Sequence, residues 1–139
     1  MSVEANKALD RRYVEEVLNR GDIGVIDEIM APNYVGHVAG SPPANREGDK
    51  QFMRTLHAAF PDIYFTLEDQ IAEGDTVVHR LTARGTHMGE FNGIPPTGKQ
   101  ATVTAININR FAAGKVVEAW GEFDLLGLMQ QLGVIPPMG

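Results

Sequence analysis

The stretch 100-QATVTAININRFAAGKVVEAWGEF-123 decides the fold. Apolar and polar residues alternate along both of its halves, the period of a half-buried strand. Ala112-Ala113-Gly114-Lys115 is short enough for a hairpin turn, so antiparallel strands over 100–111 and 116–123 are predicted. If Ala112 pairs with Lys115, Asn109 falls opposite Glu118, Asn107 opposite Trp120, Ala105 opposite Glu122 and Val103 opposite Asp124. Cross-strand partners share a face. One face is then expected to hold Asn107, Asn109, Glu118, Trp120, Glu122 and Asp124, and the other Ile106, Ile108, Val117, Ala119 and Phe123. A one-residue bulge would exchange the faces. The mixed face reads either as the wet side of an amphipathic sheet or as the wall of a ligand pocket; a subunit interface has a similar composition.

Upstream, the strand period continues. Ile63, Phe65 and Leu67 alternate with polar neighbours, Glu73-Gly74-Asp75 is a turn, and 76–86 is another strand. A loop over 88–99 centres on Gly93-Ile94-Pro95-Pro96-Thr97-Gly98. Before residue 61 the period is helical. Leu9, Tyr13 and Val17 line one face of a helix over 5–19, which Gly21 ends and after which Asp22 caps a short second helix. Residues 33–44, with two glycines and Pro42-Pro43, read as irregular. A third helix over 45–60 repeats Phe52, Leu56 and Phe60, and a last one over 125–132 ends at Gly133 before a Pro136-Pro137 tail. Helices first and hairpins later predict an α+β fold with an antiparallel sheet. Long strands twist and curl, and helices packed into a curled sheet leave a cone with a mouth.

The chain has 139 residues, the size of one domain spanning 1–139. It has no cysteine, which excludes disulfides, thiolate metal sites and a cysteine nucleophile. The net charge is −6 and Arg11-Arg12 is the only adjacent basic pair, so no nucleic-acid footprint is expected. No apolar run approaches the roughly 20 residues of a membrane span. The first residues lack a basic head and apolar stretch, which makes a cytoplasmic location the expectation. The four histidines show no metal-ligand spacing, so no metal is expected.

Six segments, taken in order, resemble the SnoaL-like polyketide cyclase family of the nuclear transport factor 2-like superfamily. They are 12-RYVEEVLNRGD-22, 31-APNYVGH-37, 59-AFPD-62, 85-GTHMGEFNGIPPTGK-99, 114-GKVVEAWGEFD-124 and 125-LLGLMQQLG-133. The resemblance implies a cone-shaped α+β barrel whose curved antiparallel sheet encloses N-terminal helices, often as a homodimer. It implies an apolar, carbonyl-bearing small molecule as ligand. It also implies ring closure by intramolecular aldol addition, or an isomerisation, without a cofactor, in which an aspartate is the acid/base and histidine and amide side chains assist.

Carried onto this chain, Asp124 looks like that aspartate; immediately before a helix it is equally an N-cap, and Glu122 is then its substitute. His37 matches the histidine of the aromatic-Val-x-His segment, and reads either as a carbonyl donor or as a tether of its own loop. Tyr13 faces inward, to polarise a carbonyl or simply to pack. Asn107, opposite Trp120, would orient a substrate oxygen, and His87 is a further candidate contact at the end of its strand. His79 reads as buried and His57 as surface. The strand over 102–111 lacks the histidine or glutamine that some cyclases carry there. Two rival functions share the pocket: hydrolysis such as epoxide opening, which Asn107 and Asn109 would serve by holding a water, and ligand binding or dimerisation without catalysis.

Overall fold

The computed structural model describes residues 2–136, and its first helix begins where the sequence supplies a cap. Ser2 Oγ accepts from the Ala5 N–H at 3.0 Å and opens α1 (Val3–Arg12), with Glu4 in the first turn and Arg11 and Arg12 in the last, as the helix dipole favours. The helix runs on as a wider π-helical segment, Tyr13–Asn19. Its buried line is Asn6, Asp10, Val14, Val17 and Leu18. Two polar side chains therefore point inward on a face that reads as apolar in the sequence. A short 3₁₀ turn (Ile23–Val25) and α2 (Ile26–Ile29) follow. Asn45 caps α3 (Arg46–Ala59) through a 2.9 Å bond from the Gly48 N–H. The helix α4 (Leu125–Gln131) starts at Asp124. Pro137, in the proline tail, lies outside the described residues.

Five strands form one curved, open sheet: β1 (Met30–Val38), β2 (Tyr64–Glu73), β3 (Thr76–Thr86), β4 (Gln100–Ala112) and β5 (Lys115–Phe123). Their order is β1-β5-β4-β3-β2, with β1 parallel to β5 and the other pairs antiparallel. The strand β1 corrects the expectation of an irregular segment over residues 33–38, while 39–44 keep the irregular form. Its alternation is carried by Tyr34, Gly36 and Val38 on one face, and glycine and proline mask that pattern. Pairing with β5 overrides the local turn signals.

The β4–β5 hairpin turns as predicted, with Ala112 opposite Lys115 and Phe111 opposite Val116. Ala113 and Gly114 both have positive φ, 51° and 78°, as a two-residue mirror-image turn requires. One step further the register slips, and Arg110 pairs with Glu118. The extra residue, Val117, exchanges the faces of everything beyond it. Asn107 thus lies opposite Gly121, not Trp120, and Ala105 opposite Phe123, not Glu122. The rung His79–Asn107–Gly121–Val38 runs across β3, β4, β5 and β1 on the concave side. The next rung, Val78–Ile108–Trp120–His37, lies on the convex side. Ile106 and Ile108, read as part of the hairpin's apolar face, are exposed there.

Two apolar clusters fill the concave side. One joins α2 and the π-helical segment to the sheet through Val17, Ile26, Ile29, Val77 and Leu81; the other gathers Phe60, Phe91, Leu128 and Leu132. Phe91 is held inward by a two-residue turn in which it exchanges backbone hydrogen bonds with Ile94. Among the described residues, no helix is long and apolar enough to cross a membrane.

Candidate functional site

Between the two clusters the concave side leaves a cavity of about 200 Å³. Its walls are mainly apolar, and polar side chains enter from α1, α3, β1, β3 and β4. Half-exposed Phe52 of α3 stands on its lining.

The first polar group is built on Asp10, which is 1% exposed. Its carboxylate accepts from His79 Nδ1 at 2.8 Å, Asn109 Nδ2 at 2.9 Å and Gln70 Nε2 at 2.8 Å. These donors come from three adjacent strands. Alternation puts His79 and Asn109 on the concave face. On its other side His79 Nε2 meets Asn107 Nδ2 at 2.8 Å. With the amide N–H as donor there, the imidazole carries its proton on Nδ1, toward Asp10. The Asn107 amide oxygen lies 2.7 Å from where a Cβ on residue 121 would stand, so Gly121 leaves the amide its place.

The second group lies around Asp49, in the first turn of α3. Tyr13 Oη donates to Asp49 Oδ2 at 2.8 Å. Burial raises the Asp49 carboxyl to about 6, although the Tyr13 hydrogen bond pulls it down. Burial, and then the Asp49 charge, hold the Tyr13 phenol well above its ordinary range. Tyr34 of β1 is 5% exposed and is also raised, by burial and then by the Asp49 charge. One carboxylate therefore sits between two phenols that stay protonated at neutral pH.

The cavity thus brings together Tyr13 and Asn107 from the sequence-predicted set. The other predicted residues fall elsewhere. Asp124 is exposed and outside the lining, and its Oδ1 accepts from the Gly127 N–H at 2.8 Å as the N-cap of α4. His37, Trp120 and Glu122 border the cavity from β1 and β5, but at convex-face positions that direct their side chains away from it. There His37 stacks on Trp120 with centroids 5.5 Å apart and bonds Glu118 Oε2 at 2.8 Å. The Arg110 guanidinium, and secondarily His37, keep the Glu118 carboxyl below its usual range. The Val117 bulge is the physical reason for the displacement of Trp120 and Glu122.

His87 is fully buried but is not part of the lining. It stacks on Phe60 and receives the Thr97 N–H at Nδ1, which anchors the 88–99 loop. His57 is half-buried rather than surface: its ring nitrogens meet the Met53 and Leu18 carbonyls at 2.8 Å, tying α3 to the π-helical segment. Asp10, Asp49, Tyr34 and His79 were not read as site residues from the sequence. Asp10 and Asp49 look like surface carboxylates in helices.

A family model described as SnoaL-like polyketide cyclase matches residues 8–132. Among curated proteins, the chain is 28% identical over 124 residues to nogalonic acid methyl ester cyclase of Streptomyces nogalater, covering 83% of this chain and 88% of that one. Among solved structures, IdmH of Streptomyces antibioticus, assigned as a polyketide cyclase, is 36% identical with a TM-score of 0.81, over 93% of this chain and 99% of that one. AclR of Streptomyces galilaeus, assigned as a hydroxylase, is 31% identical with a TM-score of 0.89, over 99% of this chain and 87% of that one.

Proposed function

Because the chain belongs to the SnoaL-like polyketide cyclase family, we propose that it closes a ring in an apolar, carbonyl-bearing small molecule by cofactor-independent acid/base catalysis, with Asp49 as the base. The observation that carries this reading is the desolvated Asp49 carboxylate on the cavity lining, hydrogen-bonded by Tyr13 through one oxygen only. A carboxyl near 6 is ionised at neutral pH yet basic enough to take a proton alpha to a carbonyl. In the proposed step Asp49 removes that proton, and the carbon–hydrogen electron pair becomes an enolate. The enolate carbon attacks a second carbonyl of the same molecule, and the new alkoxide takes the proton back. The product is an isomer of the substrate, and no oxidant, reductant or water is consumed. Asn107, braced by His79 and Asp10, orients a substrate oxygen.

Nogalonic acid methyl ester, after which the Streptomyces nogalater relative is named, is the first compound to test, followed by a panel of aryl diketones. Mass spectrometry of the product should show a ring-closed isomer of unchanged mass, with turnover lowered on the order of 10²–10⁴-fold in Asp49→Asn. Full turnover by that variant removes Asp49 from the role. Incorporation of solvent ¹⁸O would favour the hydrolytic alternative, and binding without product across the panel would favour a carrier.

The convex face supplies a surface for the expected homodimer. Ile106 and Ile108 of β4 and Trp120 of β5 are exposed there, at 51%, 39% and 39%, on adjacent strands where monomers seldom keep a contiguous apolar patch. Trp120→Glu should shift the protein to monomer in sedimentation equilibrium, and a wild type that is already monomeric refutes the assembly.

A further inference from the structure

Tyr13, the phenol that the sequence nominates to polarise a carbonyl, is spent on Asp49, to which its hydroxyl donates at 2.8 Å. A second phenol reaches the same carboxylate's surroundings from β1. Tyr34 belongs to β1, its ring lines the cavity, and the Asp49 charge acts on it. Among the described residues its hydroxyl makes no hydrogen bond, and it is not among the buried polar atoms sealed off without a partner, Asn6 Oδ1 and His87 Nε2. It is therefore a free donor open to the cavity. The backbone is shaped around it. Tyr34 and Gly36 are two residues apart on one strand and share a face. A Cβ on residue 36 would stand 2.5 Å from the Tyr34 hydroxyl and 3.1 Å from the ring carbon that bears it. Only glycine lets the phenol lie along the strand in this position.

We propose that Tyr34 is the oxyanion donor of this cavity, the group that hydrogen-bonds the substrate oxygen as negative charge develops on it. The proposal rests on the acid/base reading with Asp49 as the base, and completes it. The proton leaves the carbon toward Asp49 on one wall, the electron pair moves onto the carbonyl oxygen, and Tyr34 meets that oxygen with an O–H that stays on the phenol. A neutral donor already in place gains strength as its acceptor becomes charged, which favours the transition state over the bound ketone. Asp49 is neutralised by the proton it takes, so the charge left on the substrate is the oxyanion that Tyr34 meets. The implied substrate class is a planar enolisable ketone, whose carbonyl oxygen lies toward β1 while its acidic carbon faces α3.

The test needs no knowledge of the natural substrate. 2-Naphthol carries an enol-like oxygen on a flat apolar frame, and 2-methylnaphthalene has the same frame without a donor or acceptor. Both are titrated into the full-length protein by fluorescence. Wild type should prefer 2-naphthol, and Tyr34→Phe, which keeps the ring, should weaken 2-naphthol about tenfold and leave 2-methylnaphthalene within about twofold. Gly36→Ala, which moves the donor without deleting it, should erase the same preference. Equal weakening of both ligands by Tyr34→Phe would mean that the ring only packs, and overturns the proposal. So does a wild type that shows no preference, or a Gly36→Ala protein that keeps it in full. Asp49→Asn is expected to retain or strengthen the preference while turnover stops. Failure of the Asp49 assignment is thus read from turnover, and failure of the Tyr34 assignment from ligand selectivity.

Discussion

Replacing Asp49 with asparagine isolates the cost of keeping a charge in the cavity wall. The amide matches the carboxylate in shape and still accepts from Tyr13, which donates at 2.8 Å. What it removes is the ionisation. Burial moves the carboxyl from an ordinary 3.8 to about 6, and at about 1.4 kcal/mol per pH unit the buried charge opposes folding by about 3 kcal/mol at neutral pH. The native state holds this proton more tightly than the unfolded chain does. Wild-type stability therefore falls as pH rises between about 4 and about 6, and this contribution is constant above that window. The sign is opposite to that of an ion-paired carboxylate. Urea unfolding followed by circular dichroism, for both proteins from pH 4 to pH 8, measures it directly. The asparagine variant should gain about 3 kcal/mol over wild type across that range, nearly all of it below pH 7. Parallel stability curves would refute the desolvation argument, and with it the reason for choosing Asp49 as the base. A gain in stability paired with loss of turnover would mark the carboxylate as a group kept for chemistry at the expense of folding.

Three further outcomes follow from the geometry. Asp124→Ala should cost about 1 kcal/mol in thermal or urea unfolding through the lost α4 cap, with turnover intact; loss of turnover from a folded protein would restore Asp124 to the site. Ala113→Asn should stabilise the β4–β5 turn by roughly 0.5–1 kcal/mol, because alanine is strained at φ 51° and asparagine tolerates it; an unchanged unfolding midpoint would argue against this turn. Asp10→Ala takes the acceptor from the His79 and Asn109 donors, while Gln70 keeps its bond to the Lys7 carbonyl, and should destabilise by about 3 kcal/mol in the same assay, whereas a near-neutral result would mean that solvent reaches this network.

The four-strand antiparallel run, three of the helices and the Asp124 cap could be read directly, since periodicity, turn residues and capping are local properties of the chain. Ala112-Ala113-Gly114-Lys115 marked its turn through Gly114, which adopts positive φ at no steric cost. The family resemblance also lay in contiguous segments. The site did not, and one residue shows why. Val117 looks like any strand valine, yet as a bulge it carries Trp120 and Glu122 to the convex side and leaves Gly121 facing Asn107. Whether a strand absorbs an extra residue depends on packing against its neighbours, here the joint demands of β1 and β4, and not on its own composition. Burial is likewise a tertiary property. Asp10 and Asp49 have the same side chain as the exposed cap Asp124, and only the helices and sheet closed around them take away the water. The sequence by itself determined the helices and the four antiparallel strands; the tertiary structure decided that β1 forms and which carboxylates lose their solvent, because strand pairing and desolvation are both imposed by distant parts of the chain meeting in space.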